Sequence, residues 1–130
     1  MILDTSAIIA IINFEPERAA FVSCIVADND TLISAVTVVE AGMVIGGRFG
    51  LDSGSGLDRW LESVGATQVP FTAEHATLAR AAWRSYGKGR HTAALNFGDC
   101  CVYALAKALD QQILCKGNDF ARTDIGVVHI

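Results

Sequence analysis

The sequence predicts a doubly wound α/β sandwich, in which helices cover both faces of a mostly parallel sheet. Short apolar runs alternate with longer helical patterns along the whole chain, which is typical of β-α-β units. The short runs do not alternate polar and apolar residues over any length, as expected for parallel strands that are covered on both faces. The length of 130 residues has room for one core, so we expect a single domain over residues 1–130.

The composition is that of a globular chain, with 52% hydrophobic residues, 18% charged residues and a mean hydropathy of +0.37. These values exclude a disordered chain. The net charge of −4 argues against a uniformly basic nucleic-acid binder and leaves room for a local basic face. The four cysteines have no metal-binding spacing and are interpreted as reduced thiols. No basic segment precedes the apolar residues 7–12, and every long apolar stretch is interrupted, so we expect a cytoplasmic protein without membrane contact.

Five short apolar runs are predicted to be the strands of the sheet. Their length and their aliphatic, β-branched character are typical of buried parallel strands. The runs are residues 1–3, 31–33, 66–69, 113–115 and 127–130.

Six segments between these runs are predicted to be helices. Pro16 lies in the first turn of the second helix, where its missing N–H costs no hydrogen bond. Thr72 is the expected N-cap of the fifth helix, and Glu74 lies in its first turn. The helices are residues 6–13, 15–27, 36–49, 57–64, 72–86 and 99–109. The glycine-rich stretches 46–56 and 86–98 are predicted to be loops.

Three carboxylates each stand alone in an apolar stretch. They are Asp4, Glu40 and Asp99, the sole charged residues of positions 1–14, 31–47 and 91–106 respectively. A buried carboxylate must be paired, protonated or bound to a cation, and none of these stretches supplies a cation of its own. Helix capping is an alternative for Asp4 and Asp99. A surface position is an alternative for Glu40.

Taken together, the three acids predict a pocket for a hard divalent cation. Mg²⁺ and Mn²⁺ bind carboxylates and water and keep positions open for phosphate oxygens. Converging acids repel one another unless a metal neutralises them. A fourth acid follows the fourth strand. It is either Asp119, in Gly117-Asn118-Asp119-Phe120, or the nearby Asp124, and an exposed loop is the alternative for both.

Positive charge is concentrated in residues 80–122, which carry a net charge of +4, whereas the rest of the chain carries −8. Within this strip, residues 80–91 contain four lysines and arginines and no acid. Tyr86 and Phe97 flank the adjoining loop as possible stacking surfaces. The strip is either a solvated face or a surface that contacts the phosphate backbone of a nucleic acid.

These residues resemble the PIN-domain family and, within it, the VapC-type toxin ribonucleases of bacterial toxin–antitoxin pairs. The resemblance spans the whole chain and is carried by the order and spacing of the acids. The matching motifs are Met1-Ile-Leu-Asp4-Thr-Ser-Ala-Ile, Val39-Glu40-Ala41, Tyr86-Gly-Lys-Gly-Arg90-His91 with Leu95-Asn-Phe-Gly-Asp99-Cys, and Gly117-Asn-Asp119-Phe120 with Thr123-Asp124-Ile125. One departure is Lys116-Gly117-Asn118, where many relatives carry a serine or threonine.

The resemblance implies a PIN-like three-layer α/β/α sandwich with a roughly five-stranded sheet. It implies Asp4, Glu40, Asp99 and Asp119 as the catalytic and metal-binding acids, with Mg²⁺ or Mn²⁺ as cofactor. The implied reaction is endonucleolytic hydrolysis of RNA by a metal-activated water, which leaves 5′-phosphate and 3′-hydroxyl ends. It further implies a homodimer and an inhibitory VapB-like antitoxin whose extended or helical tail fills the groove, with apolar residues on the first three helices as candidates for its docking surface. With the basic strip, it predicts RNA contacts from Ser6, Arg84, Lys88, Arg90, His91 and Lys116.

Three alternative functions fit parts of the pattern. A phosphoacceptor receiver domain needs an aspartate after the third strand, where this chain has Pro70-Phe71. A phosphatase of the haloacid-dehalogenase type needs a second aspartate two residues after Asp4, where this chain has Ser6. A catalytically silent PIN-like module that binds RNA or a protein partner remains the principal alternative.

Overall fold

A parallel four-stranded sheet with helices on both faces forms the fold of the computed structural model, which describes residues 1–50 and 54–130. The predicted α/β class and parallel sheet are confirmed. The strands are β1 (Ile2–Leu3), β2 (Leu32–Ser34), β3 (Thr67–Val69) and β4 (Ile113–Leu114). The helices are α1 (Thr5–Ile12), α2 (Arg18–Ala27), α3 (Ala35–Phe49), α4 (Gly54–Ser63), α5 (Ala73–Tyr86) and α6 (Phe97–Leu109), and a 3₁₀ turn (Phe120–Arg122) follows β4.

The sheet has the strand order β3-β2-β1-β4. Ile2 pairs with both Leu32 and Ile113, and Leu3 pairs with Leu114. Because successive strand residues point to opposite faces, Leu3 packs in a core with α1, α2, α3 and α4, whereas Ile2 packs in a second core with α5 and α6. The chain leaves β1 towards β2 on one side and returns to β4 on the other. The topological switch point, where open α/β sheets bind ligands, therefore lies at the carboxyl ends of β1 and β4.

The predicted fifth strand over residues 127–130 does not form. Val127 makes a single parallel bridge to Ile113. Two hydrogen bonds hold this bridge: the Ile113 amide donates to the Gly126 carbonyl at 3.0 Å, and the Val128 amide donates to the Ile113 carbonyl at 2.9 Å. Among the described residues, no further bridge to β4 follows Val127, although β4 continues to Leu114. In the part of the chain that the structure describes, the sheet thus has four strands rather than the predicted five, and Val127 adds a single bridge to its edge.

Several predicted boundaries also move. The helix α2 begins at Arg18 rather than at residue 15, because the preceding residues form a turn in which the Arg18 amide donates to the Glu15 carbonyl at 3.0 Å. The helix α3 ends at Phe49, as predicted, so it includes Gly46 and Gly47 and stops before Gly50, which has a φ of 101°. The loop predicted over residues 46–56 is therefore shorter, and residues 51–53 lie outside the described residues. β3 is an edge strand whose first two residues are exposed.

The loop between α5 and α6 is held by backbone pairing rather than left open. The Lys88 amide donates to the Leu95 carbonyl at 3.0 Å, and the Leu95 amide donates to the Tyr86 carbonyl at 2.9 Å. Ala93 and Leu95 are fully buried. All four cysteines are free thiols. Across residues 1–50 and 54–130, no helix has both the length and the apolar character needed to cross a membrane.

Candidate active site

Asp4 lies at the carboxyl end of β1 and is buried. Its carboxylate caps α1, since it accepts a hydrogen bond from the Ser6 amide at 2.9 Å and another from the Ser6 hydroxyl. The Asp4 amide donates to the Leu114 carbonyl at 3.1 Å, which ties the end of β1 to β4. Burial raises the pKa of Asp4 above its ordinary value, the hydrogen bonds from Ser6 oppose this rise, and the Glu40 carboxylate adds to it. The capping role of Asp4 is confirmed, and the cap is also a buried acid.

Glu40 lies on α3 and faces the starts of α1 and α6. The Thr5 hydroxyl donates a hydrogen bond to its Oε1. A Cβ atom added at Gly98 would overlap the Glu40 carboxylate and lie 2.7 Å from its Cδ. Only a glycine at position 98 leaves this space free. Glu40 is therefore half-buried against the neighbouring helices, and the surface interpretation does not apply.

Asp99 lies in the first turn of α6 and forms a capping box with Asn96. The Asp99 amide donates to Asn96 Oδ1 at 2.9 Å, and the Asn96 amide donates to Asp99 Oδ2 at 3.0 Å. The helix was predicted to begin at Asp99 and begins at Phe97 instead, and the alternative that Asp99 is its N-cap does not apply, because Asn96 is the N-cap. In the sequence, this capping box is indicated by Asn96, a residue that commonly caps helices, followed by an acid three positions later.

The four predicted acids influence one another electrostatically. Burial raises the pKa of Asp99 to about 6, the hydrogen bond from the Asn96 amide opposes this rise, and Asp4, Asp119 and Glu40 add to it. Asp119 is exposed and precedes the 3₁₀ turn after β4. The acids therefore lie in one region at the switch point of the sheet.

Asp124 lies apart from this group. The Tyr103 hydroxyl and the Lys107 ammonium each donate a hydrogen bond to its carboxylate at 2.7 Å. The Lys107 ammonium, followed by the Tyr103 hydroxyl, lowers the pKa of Asp124 below its ordinary value. Asp124 thus ties the chain after β4 to α6, and the geometry favours Asp119 as the fourth acid.

The chemistry of these donors fits a hard divalent cation, because several carboxylates share one region without a neutralising lysine or arginine. Among the described residues, the side chains do not converge on one point: no three His, Cys, Asp or Glu side chains there are placed to bind a single ion. Each acid is instead held by a separate donor, which is Ser6 for Asp4, Thr5 for Glu40 and Asn96 for Asp99. To hold an ion together, the carboxylates have to rotate towards a common point.

Ser6 links the first acid to the loop after β4. Its hydroxyl donates to Asp4 and accepts a hydrogen bond from the Lys116 amide at 2.9 Å. The Lys116 ammonium turns away from the acids and forms ion pairs with Glu15 and with Glu17, the second at 3.2 Å. Lys116 was predicted to contact RNA, and in this structure two carboxylates already neutralise its charge.

Replacement of Ser6 by alanine is expected to lower the free energy of unfolding by about 1–2 kcal/mol. The buried Asp4 carboxyl group would lose the hydrogen bond from the Ser6 hydroxyl, and the Lys116 amide would lose its acceptor. Urea unfolding at pH 7.5 measures this change. The matched control is Ser23→Ala, which removes an exposed hydroxyl that donates to the Ala19 carbonyl at 3.0 Å. A loss no larger than that of Ser23→Ala contradicts the linking role of Ser6.

Three of the other predicted RNA contacts, Arg84, Lys88 and Arg90, lie in or beside a groove between α5 and the start of α6, whereas the ring of His91 packs against Tyr86. Arg84 and Lys88 line this groove, which has a volume of about 650 Å³. The Arg90 guanidinium lies over the ring of Trp83, 4.0 Å from its centroid. Trp83 also lines the groove, so three of the basic residues predicted from the sequence lie in it or beside it.

The aromatic residues differ from the expectation. Tyr86 is half-buried, and its ring packs against the rings of His91 and Tyr103 at centroid distances of 5.2 and 5.9 Å. Tyr86 does not line the groove, whereas Trp83 and Phe97 do. The sequence analysis missed Trp83, which becomes recognisable only when helical spacing places it on the same face as Arg80 and Arg84.

Comparisons with known proteins agree with this architecture. The PIN domain profile matches residues 1–126. Ribonuclease VapC30 of Mycobacterium tuberculosis is 45% identical over 128 residues, which cover 98% of this chain and 98% of the relative. The crystal structure of Mycobacterium tuberculosis VapC20, described as a sarcin–ricin-loop-cleaving toxin, has a TM-score of 0.79 at 17% identity and covers 99% of this chain and 98% of that chain. A toxin–antitoxin complex from Klebsiella pneumoniae has a TM-score of 0.72 at 18% identity, and the match covers 98% of this chain and 95% of that chain.

Proposed function

The chain belongs to the PIN-domain family and, within it, to the VapC-type toxins, and from this membership we propose that it is a metal-dependent endoribonuclease. The observation that carries the proposal is the grouping of four acids, Asp4, Glu40, Asp99 and Asp119, at the switch point of the sheet. That edge is where open α/β folds bind their ligands. The name ribonuclease, given to a relative 45% identical over nearly the whole chain, supports the same chemistry.

The acids have distinct tasks in this proposal. When bound, Mg²⁺ or Mn²⁺ polarises the scissile phosphate and lowers the pKa of the attacking water. Asp4 and Asp99 would hold the ion from the starts of α1 and α6, where Asp4 is the N-cap of α1 and Asp99 forms a capping box with Asn96. Glu40 reaches the same region through the space left by Gly98. Asp99, with a pKa of about 6, is ionised above neutral pH, as a metal ligand has to be.

Cleavage of total bacterial RNA by the purified protein tests the proposal. We expect discrete cuts with Mg²⁺ or Mn²⁺ and none with EDTA, and the new ends should carry 5′-phosphate and 3′-hydroxyl groups. Ends with 2′,3′-cyclic phosphate would contradict the proposed mechanism, because they require attack by the ribose hydroxyl. RNA binding without cleavage in either metal would support the alternative, a catalytically silent PIN-like module.

The family also motivates proposals about partners. We propose that a VapB-like antitoxin inhibits the enzyme, that the toxin forms a homodimer and that both act in the cytoplasm. The structural likeness to a toxin–antitoxin complex supports the first of these. Exposed apolar side chains on the helices expected to contact the antitoxin are suitable contacts. They are Val22 and Val26 on α2 and Val39 and Met43 on α3.

A further inference from the structure

The segment that carries Asp119, residues 117–124, has little regular structure to hold it and is called the Asp119 segment below. It follows β4 and contains one turn of 3₁₀ helix, Phe120–Arg122. This turn starts at Asp119 itself, whose carbonyl accepts a hydrogen bond from the Arg122 amide at 3.3 Å. A single 3₁₀ turn has little stability of its own. The position of Asp119 therefore depends on how the segment is anchored to the rest of the protein.

Two side chains anchor the middle of this segment. Phe120 is buried in the second core, with α5 and α6. The Arg122 guanidinium donates a hydrogen bond to the Thr92 carbonyl, in the loop between these helices, at 2.9 Å. The Asp119 carboxylate, in contrast, is exposed and makes no capping hydrogen bond to the 3₁₀ turn. Its place is therefore set by the anchors of the segment.

A third anchor joins the end of the segment to the helix that carries Asp99. The Asp124 carboxylate accepts hydrogen bonds from the Tyr103 hydroxyl and the Lys107 ammonium. Positions 99, 103 and 107 are spaced four residues apart, so Asp99 and the two donors lie on one face of α6, about 6 Å apart along the helix. At the other end of the segment, Asp119 is close enough to raise the pKa of Asp99. Asp99 and Asp119 are thus both attached to α6, the first directly and the second through Asp124.

The two donors to Asp124 differ in burial. Tyr103 is 6% exposed, and a hydrogen bond from a buried hydroxyl to a carboxylate is stronger than one between neutral groups. Burial and the Asp124 carboxylate raise the pKa of the Tyr103 phenol, so the hydroxyl keeps the proton that it donates. The side chains of the Lys107–Asp124 ion pair are nearly half exposed, and water weakens such a pair. Tyr103 is therefore the stronger of the two donors.

We propose that Asp124 is a positioning residue for the acids: bound by Tyr103 and Lys107 on α6, it keeps Asp119 beside Asp99. Without this anchor the Asp119 segment leaves α6 in a fraction of the molecules. The affinity for a divalent cation then falls in proportion to the fraction in which the segment stays bound. This inference rests on the proposed metal-dependent function and extends it to a residue that binds no metal itself.

Tyr103→Phe tests the anchor without changing any charge, because it removes one hydroxyl and keeps the buried ring. We expect the affinity for Mn²⁺, measured by calorimetric titration without RNA, to fall about tenfold. Hydrogen exchange of the metal-free protein in EDTA should become about tenfold faster in the Asp119 segment and stay unchanged in α3. The matched control is Tyr86→Phe at the other tyrosine of the chain, whose ring centroid lies 5.9 Å from that of Tyr103. It should change neither quantity, because Asp124 accepts from Tyr103 and Lys107.

Lys107→Met separates the effect of position from the effect of charge. Lys107 is exposed, so the fold should survive. Removal of a positive charge would by electrostatics alone strengthen the binding of a cation. Loss of the anchor has the opposite effect, and we expect the affinity for Mn²⁺ to fall about threefold. In an Asp124→Ala protein, neither Tyr103→Phe nor Lys107→Met should lower the affinity further, because the acceptor that both donors share is gone.

A higher affinity for Mn²⁺ in Lys107→Met, or an unchanged affinity in Tyr103→Phe, would overturn the proposal. An equal effect of Tyr103→Phe with and without the Asp124 carboxylate would also overturn it, since the hydroxyl would then act by another route. If the unaltered protein neither binds Mn²⁺ nor cleaves RNA, the proposed function fails. Hydrogen exchange still decides the positioning role in that case, because faster exchange of the Asp119 segment in Tyr103→Phe supports it and unchanged exchange overturns it.

Discussion

Replacing Asp99 by asparagine is expected to abolish metal-dependent RNA cleavage, with a loss of rate on the order of 10³-fold. The amide keeps the shape of the carboxylate, and its oxygen can still accept the hydrogen bond from the Asn96 amide, so the capping box should persist. The variant removes only the negative charge that a divalent cation requires. Cleavage assays with Mn²⁺, together with calorimetric titration of Mn²⁺, measure the two effects. Activity within tenfold of the unaltered protein would exclude Asp99 as an essential ligand.

The same variant is expected to be more stable than the unaltered protein near neutral pH in the absence of metal. Burial and the neighbouring acids raise the pKa of Asp99 from 3.8 to about 6, so the folded state binds this proton more tightly than the unfolded state. The charge of Asp99 therefore lowers stability as the pH rises from about 4 through 6. Asparagine removes this penalty.

Urea unfolding in EDTA at pH 4 and at pH 7.5 measures this effect. We expect Asp99→Asn to gain stability relative to the unaltered protein only at the higher pH. The exposed Asp30→Asn serves as the control and should show little difference between the two conditions. A loss of stability in Asp99→Asn at pH 7.5 would contradict the electrostatic account of the site. A loss of RNA cleavage together with a gain in stability would show that Asp99 serves function rather than folding.

The principal acids could be identified from the sequence alone, because each is an isolated charge in an apolar stretch, which is a local pattern. A charge isolated in an apolar stretch has few explanations other than a cap or a site, and parallel strands bring their carboxyl ends to one edge. Asp4 at the end of β1 and Glu40 on α3 follow from these two rules. The strands themselves were recognisable as apolar runs, although their ends depend on partners. The pairing of residues 127–130 with β4 is limited to the single bridge between Val127 and Ile113, and no local property of these residues indicates this limit.

The features that the sequence could not predict depend on contacts between distant residues. The Lys116 ammonium is neutralised by Glu15 and Glu17, about a hundred positions earlier in the chain. The need for glycine at position 98 arises from the Glu40 carboxylate on another helix. Neither contact leaves a local pattern. The capping box of Asn96 and Asp99 is different, because its spacing is present in the sequence. It was overlooked because the helix was predicted to begin at Asp99.

Gly98→Ala is expected to destabilise the protein by about 1–3 kcal/mol and to reduce RNA cleavage about 10²-fold. Position 98 lies in a helix, where alanine is ordinarily favoured over glycine by about 1 kcal/mol. The obstacle is the Glu40 carboxylate, which the new Cβ would overlap. Glu40 therefore has to leave its position between α1 and α6, and the site loses an acid. The matched control is Gly42→Ala on α3, where an added Cβ has no atom within 4 Å. This substitution should stabilise the protein slightly.

A double-mutant cycle makes this argument specific to one pair of residues. In a Glu40→Ala protein the space beside position 98 is open, so Gly98→Ala should become neutral or stabilising there, and the sign of its effect reverses. Urea unfolding of the four proteins measures the coupling, which we expect to be about 2 kcal/mol. An equal loss of stability in both backgrounds would mean that alanine is excluded from position 98 for another reason. Reversal of the sign would show that a glycine in one helix is required by an acid in another, and that the geometry of the acids is part of the packing of α3 against α6.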